Sequence, residues 1–242
     1  MKKRFFKGVS MFLASVLTIG MCSGYRVDAK SKFSVPKNVT LSYDKNGVNS
    51  VYTNVIWING TSTSAAYSIQ ETFSNFKSSN KKVISSKTFG KDFYPIVDGW
   101  NPNAKGGVGV KLKKTGTTKI SFKFKYKKKT YSRKTTVKVV KYTNPFKKIL
   151  LDGDNCTSYY KNKVGASMTT GAKNISITPN KNWKIKYAYV YKKGKDKLQK
   201  VKKPSSFTLK PSYSGFVTME NKKNKLTETV SFAYSDISDL DD

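Results

Sequence analysis

Few residues of this chain could carry out acid–base, nucleophilic or metal chemistry. The sequence contains no histidine, which excludes a Ser-His-Asp triad, a Cys-His pair and any site in which histidine binds zinc or iron. Cys156 cannot form a thiolate cluster by itself, and we interpret it as an unreactive core residue. The sequence therefore predicts neither a metal site nor a cofactor.

The carboxylates fit turns better than they fit an active site. Asp98 is followed by Gly99, a typical turn pair, and Asp92 lies only a few residues before it. The segment that begins at Asp152 resembles the start of a calcium loop, but Thr157 stands where such a loop needs glycine. We expect a hairpin turn at this segment. The sequence predicts no catalytic residue, and we expect a protein that is not an enzyme.

Two aromatic residues are candidates for ligand contact. Tyr94 and Trp100 lie in a stretch rich in Gly, Asn and Pro, where exposed rings could stack on sugars. The alternative is that both rings fill one end of a β-sandwich, since large aromatic side chains are commonly buried. The sequence leaves both interpretations open.

The charge of the chain indicates its partner class. It has 47 Lys and Arg against 14 Asp and Glu, a formal net charge of +33. Solubility needs a net charge of only a few units, whereas each cation that contacts a polyanion releases counterions and strengthens binding. The sequence predicts a polyanionic cell-wall polymer or an acidic glycan as partner. Nucleic acid is the alternative partner, and a purely structural spacer is the alternative role. The candidate ligand-binding lysines are Lys119, Lys123, Lys125, Lys134, Lys138, Lys184 and Lys186.

Strict alternation places these lysines on strands. From Lys119 to Tyr126, apolar and aromatic residues alternate with Lys and Ser, which predicts one buried and one cationic strand face. Tyr131 to Val139 continues the pattern after a Lys-rich turn, which predicts a hairpin. A third alternating run begins at Trp183 and contains Lys184 and Lys186. The further predicted strands are 38–43, 51–58, 81–86, 108–113, 146–151, 173–178, 205–210, 215–221 and 229–234.

This pattern predicts an all-β protein made of two tandem immunoglobulin-like β-sandwiches. Pro145 forces Asn144 out of the helical region and interrupts strand pairing, so we place the boundary there. The predicted domains are residues 30–143 and 144–235. Within the first domain, residues 60–77 fit helical spacing about as well as strand spacing, which favours a short helix or an irregular crossover.

Residues 115–142 resemble the C-terminal half of bacterial immunoglobulin-like domains, particularly group 2. The likeness rests on the Gly116-Thr117 turn, the alternating strand Ile120–Phe124 and the Val137-Lys138-Val139 ending. Residues 144–234 resemble the second module of small secreted Gram-positive proteins with an Asn-Pro-Phe junction. The resemblance implies a non-catalytic surface, adhesion or spacer role, and it supplies no binding residues.

The N-terminus predicts export. Basic residues precede the apolar stretch from Val9 to Met21, and Val27 and Ala29 fit a cleavage site. Cleavage removes five basic residues and one acidic residue, so the charge falls to +29. Lipidation at Cys22 is the alternative, although Met21 is a poor neighbour for it. We expect a secreted protein, in non-covalent association with a wall or released, with no later transmembrane segment and an acidic tail at 236–242.

Overall fold

The computed structural model describes residues 33–61, 63–97, 106–164, 168–170, 174–192 and 198–234. The signal peptide, its cleavage site, Cys22, Trp100 and the acidic tail are predictions that lie outside these residues. The first group of elements is β1 (Asn38–Tyr43), β2 (Val55–Trp57), α1 (Thr63–Gln70), β3 (Ser74–Ser78), β4 (Phe93–Val97), β5 (Gly106–Val110), β6 (Gly116–Tyr126) and β7 (Lys129–Lys141). We call these elements the first sandwich.

The second sandwich begins after a connection of four residues. Its strands are β8 (Phe146–Leu151), β9 (Asp154–Asn155), β10 (Met168–Thr170), β11 (Asn174–Pro179), β12 (Trp183–Lys192), β13 (Gln199–Lys200), β14 (Ser206–Thr208), β15 (Tyr213–Asn221) and β16 (Thr227–Tyr234). A 3-10 helix, Thr157–Tyr160, follows β9. The exact domain ends that the sequence suggests, residues 143 and 235, remain predictions.

Strand pairing in the first sandwich is that of an immunoglobulin-like fold. One sheet has the order β1-β7-β6-β3 and the other has the order β2-β5-β4. If β2 to β7 are strands B to G, the sheets are G-F-C and B-E-D, the immunoglobulin arrangement. The strand β1 pairs parallel to β7 at the outside of its sheet.

The second sandwich repeats this scheme. Its sheets have the orders β14-β11-β8-β9 and β10-β16-β15-β12-β13. In the first sheet β14-β11-β8 correspond to strands E-B-A, and in the second sheet β16-β15-β12 correspond to strands G-F-C. The strand β10 again pairs parallel to the last strand, β16. The predicted all-β, immunoglobulin-like class is therefore confirmed.

Each sandwich has its own core, made by the inward residues of the alternating strands. On β6, Ile120, Phe122 and Phe124 are almost fully buried, as the alternation predicts. Phe33 lies against Phe124 with ring centroids 5.7 Å apart. In the second sandwich Phe146, Trp183 and Phe232 belong to a separate buried cluster. Two cores of this kind give each sandwich independent hydrophobic stabilisation.

Residues 60–77 contain both a helix and a strand. The helix α1 buries Ala65, Ala66 and Ile69, whose spacing places them on one helical face. The strand β3 then pairs with β6 and contributes Phe76 to the first core.

Several stretches differ from the sequence prediction, and two of them have a clear physical reason. Residues 81–86 do not form a strand, because Val83 and Ile84 lie in a turn whose amides both bond to the Asn80 carbonyl. Conversely, β4, which contains Pro95, was not among the predicted strands. Since β4 lies at the edge of its sheet, Pro95 is tolerated there.

The Asp152 segment forms the hairpin turn that the sequence predicts. It connects β8 to β9, and the φ angles of Asp152 and Gly153 are 47° and 92°. Two consecutive positive φ values are the requirement of a tight type I′ hairpin turn. The segment is a turn, not a cation loop.

A buried lysine joins the two sandwiches. Lys163, which follows the 3-10 helix, is only 5% exposed. Its Nζ donates hydrogen bonds to the Ser42 carbonyl at 2.8 Å and to Asn54 Oδ1 at 2.7 Å, both in the first sandwich. Its backbone N–H donates to Asp44 Oδ2 at 2.7 Å, and its carbonyl accepts from the amide of Val48 at 2.9 Å. We call these contacts the junction.

Two further interactions extend the junction. The Ser42 hydroxyl donates to Glu228 of β16, so a carboxylate of the second sandwich also lies against the first. Burial lowers the pKa of Lys163, and the negative charges of Glu228 and Asp44 only partly oppose this effect. The junction thus holds Lys163 in a desolvated position with two hydrogen bonds from its Nζ.

Candidate functional site

The candidate site is the outer surface of the β1-β7-β6-β3 sheet, which we call the lysine face. Alternation along β6 and β7 points aromatic and β-branched residues into the core and leaves the other set exposed. The lysine face contains Lys77, Lys119, Lys123, Lys125, Lys134 and Lys138, with Lys37 just before β1. Five predicted ligand-binding residues, Lys119, Lys123, Lys125, Lys134 and Lys138, therefore share one surface.

Strand register arranges these lysines opposite hydroxyl groups. Between β6 and β7, Lys119 faces Thr136, Lys123 faces Ser132 and Lys125 faces Thr130. In the same way Lys134 faces Ser121, and Lys138 faces Thr117. Because like charges directly opposite one another destabilise a sheet, this register reduces repulsion while it keeps the surface strongly positive.

No acidic residue offsets this charge within the sheet. The sequence contains no Asp or Glu between Asp98 and Asp152, and none occurs in β1 or β3. Both ion pairs found in the described part of the chain lie in the second sandwich. The lysines of the face thus have no ion-pair partner among the described residues.

A groove on the lysine face is lined by residues from β3, β6 and β7 and from the segment just before β1. It has a volume of about 520 Å³ and is lined by Lys37, Lys77, Lys119 and Lys134, one from each strand or its flank. The hydroxyls of Ser121 and Thr136 lie between these lysines, and neither has a hydrogen-bond partner among the described residues. The groove can therefore offer ammonium and hydroxyl donors together to an anionic chain.

Arg133 lies on β7 but does not belong to the lysine face. Its Nε donates to the Phe33 carbonyl at 2.8 Å, and its guanidinium lies 5.3 Å from the Tyr131 ring centroid. These contacts attach the segment before β1 to the core side of the sheet. Arg133 therefore has a structural role.

The structure does not bring Lys184 and Lys186 to the lysine face. Both lie on β12 of the second sandwich, at 3.1 and 2.8 Å from the Glu220 carboxylate. Burial alone would raise the pKa of Glu220, but hydrogen bonds from Lys186 and Lys184 outweigh burial and lower it. The two ammonium groups are thus partly neutralised, a pairing that the alternation of the sequence does not reveal.

Tyr94 lies on the other sheet of the first sandwich. It is half-buried on β4, with ring centroids 5.9 Å from Tyr52 and 5.8 Å from Phe89. Its neighbour Phe93 stacks on Phe76 at 4.6 Å and so belongs to the core side. Tyr94 and the lysine face are therefore separate surfaces. Trp100 lies outside the described residues.

The remaining titratable groups are held in structural contacts. Asp92 accepts hydrogen bonds from Ser85 Oγ at 2.8 Å and from the Thr88 amide at 3.1 Å. Burial raises the pKa of Asp92, but these bonds outweigh burial and lower it. Burial, assisted by Asp154, raises the pKa of the Cys156 thiol, which disfavours the reactive thiolate. Within the described residues, no group of three or more potential metal ligands occurs.

Comparisons with known proteins identify no family. No family model matches the chain, and no curated protein matches it. Among solved structures, the N-terminal four Ig domains of Dscam1 isoform 6.44 are similar at 10% identity and a TM-score of 0.25, over 83% of this chain and 50% of that one. Cadherin domains 1–5 of protocadherin gamma B2 give 7% identity and a TM-score of 0.24, over 82% and 39%.

A chimeric titin Z1Z2 structure gives 11% identity and a TM-score of 0.21, over 83% of this chain and 94% of that one. The chain spans about half the length of the Dscam1 structure and less than half the length of the protocadherin structure. Scores this low carry no argument about function, and the fold assignment rests on the strand pairing. No helix in the described part of the chain is both long and apolar enough to cross a membrane.

Proposed function

We propose that this chain is a secreted, non-catalytic surface protein of the bacterial immunoglobulin-like type that binds polyanions through the lysine face. The observation that supports this function is the acid-free sheet in which lysine alternates with hydroxyl across β6 and β7. A cell-wall polymer or an acidic glycan is the proposed partner. Each bound anionic unit releases counterions, which makes such binding strong at low salt.

The test compares two variants with equal loss of charge. The first replaces Lys119, Lys123, Lys134 and Lys138 with Gln. The second replaces Lys147, Lys148, Lys202 and Lys203 with Gln, which are exposed lysines of the second sandwich. Binding to a charged wall polymer or to heparin is measured by calorimetry across a salt series.

We expect the lysine-face variant to bind with lower affinity. The magnitude of the slope of log K against log salt should fall by about 3, since each phosphate contact with a single-chain polyanion contributes roughly 0.7. The control variant should lose much less affinity, because its lysines do not share this surface. Equal losses in both variants would show that binding follows net charge and not the face. Unchanged binding in the first variant would mean that the polymer binds another surface, and absence of binding by wild type would favour a spacer role.

Retention on cells is tested separately. If charge holds the protein on the cells that secrete it, graded salt washes should release it, and the lysine-face variant should be released at lower salt. Retention in molar salt would contradict a charge-based association and would favour the lipidated form at Cys22.

A further inference from the structure

The groove on the lysine face brings ammonium and hydroxyl groups together. We propose that it binds a single, extended phosphate-linked polymer that carries no bases, such as a polyol-phosphate or polyphosphate chain. This inference rests on the proposed function, because it specifies the ligand class of the same surface.

The lining of the groove supports an oxyanion of phosphate type. Lys37, Lys77, Lys119 and Lys134 supply charge, while the hydroxyls of Ser121 and Thr136 have no hydrogen-bond partner among the described residues. An ammonium group is a compact point charge with little directional preference. Hydroxyls add directed hydrogen bonds, and a phosphate with several acceptor oxygens can engage hydroxyl and ammonium donors at once. A carboxylate, with two oxygens in one plane, gains less from the added hydroxyls.

The same lining argues against nucleic acid. Proteins that bind single-stranded nucleic acid combine a basic groove with aromatic rings on which bases stack. No aromatic side chain of the described residues lines this groove. The aromatic residues of β6 and β7 point to the core, where Phe124 and Tyr131 stack at 5.4 Å. The groove therefore offers a path for a charged backbone and no platform for a base.

The register of β3, β6 and β7 indicates the direction in which the bound polymer runs over the sheet. Lys77 on β3 faces Ser121 on β6, which faces Lys134 on β7, so one row crosses three strands as Lys, hydroxyl, Lys. The adjacent row contains Lys119 and Thr136. The amide of Thr136 donates a hydrogen bond to the Lys37 carbonyl, which places Lys37 next to this row. Neighbouring strands lie about 4.8 Å apart, so successive lysines of a row are separated by roughly 10 Å. A flexible chain laid across the strands meets both rows.

The experiment removes hydroxyls and keeps charge. The groove variant is Ser121→Ala with Thr136→Val. The control variant is Thr130→Val with Ser132→Ala, which removes two hydroxyls from the same face outside the groove. Inorganic polyphosphate, poly-L-glutamate and single-stranded DNA of matched charge serve as probes, and thermal melting confirms that both variants are folded.

We expect the groove variant to bind polyphosphate about 5- to 10-fold more weakly, because hydrogen bonds to charged groups are among the stronger ones. Its affinity for polyglutamate and the affinities of the control variant should change less than twofold. Wild-type protein should bind polyphosphate more tightly than single-stranded DNA.

Three outcomes would overturn the inference while the proposed function stands. These are equal losses in the groove and control variants, an equal loss for polyglutamate, or tighter binding to single-stranded DNA than to polyphosphate. If wild-type protein binds none of the three probes in a salt-dependent manner, the proposed function itself fails.

Discussion

The lysine face and the junction place the same side chain in opposite environments. On the face, Lys119 and Lys134 are exposed, lie opposite hydroxyls and have no acidic neighbour on their sheet. At the junction, Lys163 is buried, donates two hydrogen bonds from Nζ and lies near Asp44 and Glu228. The comparison teaches that this fold places lysine both on an exposed surface without acidic residues and in a buried contact that attaches one sandwich to the other.

The largest expected effect comes from removing the buried lysine. Lys163→Met leaves the Ser42 carbonyl and Asn54 Oδ1 without their donor and leaves nearby carboxylates without a cation. We expect a loss of about 3 kcal/mol in the free energy of unfolding, because two buried acceptors lose their hydrogen bonds from a charged donor. Urea denaturation measures this loss. Lys161→Met, at an exposed position two residues away, is the control and should change stability by less than about 0.5 kcal/mol. Similar values for both variants would contradict the role assigned to the junction.

The next effect tests how tightly the two sandwiches approach. A Cβ added at Gly47 would lie 2.7 Å from the Lys163 carbonyl oxygen and 2.8 Å from its backbone nitrogen. Because these neighbours are backbone atoms of the junction, Gly47→Ala should cost about 2 kcal/mol through overpacking. The measurement is again chemical denaturation. Asn46→Ala, at the exposed neighbouring position, should be close to neutral, and a neutral Gly47→Ala would show that the junction can open without cost.

The pH dependence of stability gives a third test of the junction. Burial lowers the pKa of Lys163 in the folded protein. At pH values between that lowered pKa and the ordinary lysine pKa of about 10.4, Lys163 is therefore protonated more in the unfolded chain than in the folded protein. Stability from this group therefore rises with pH across this window, by at most about 1.4 kcal/mol per pH unit.

Stability curves of wild type and Lys163→Met over pH 7 to 10 measure this contribution. The difference between the two proteins should grow as the pH rises. A difference that stays constant would mean that Lys163 keeps an ordinary affinity for its proton when folded.

The smallest effect tests the register of the lysine face. Ser132→Lys places a second ammonium directly opposite Lys123 and should cost about 0.5 kcal/mol at low salt. The loss should largely disappear in 1 M salt, where the screening length is about 3 Å. Ser132→Glu should give a stabilisation of similar size at low salt. Equal effects of Lys and Glu would show that charge at this position does not affect the sheet.

The sequence predicted burial correctly where strand alternation alone decides which residues face the core. On β6 and β7 strict alternation determines which residues are buried, so Phe122, Phe124 and Val137 on one side and the lysines on the other could be assigned before the structure. The strands β3 and β4 were missed. Ser74–Ser78 contains a single apolar residue, Phe76, and β4 contains a proline that only its edge position allows.

The junction could not be predicted from local pattern. Lys163 lies in a polar segment that predicts an exposed loop, and its partners Ser42 and Asn54 are 121 and 109 residues away along the chain. The groove was partly predictable, since Lys119 and Lys134 were candidates. Lys37 and Lys77 join it only through the pairing of β1 and β3, which depends on tertiary structure.

The missing carboxylates of the lysine face have a consequence for folding itself. Forming the sheet gathers several positive charges that the extended chain keeps apart, and nothing within the four strands compensates them. Any anion that settles on this surface completes the electrostatic balance, and by mass action it stabilises the folded chain. An environment rich in such anions would therefore favour the folded state over the unfolded chain.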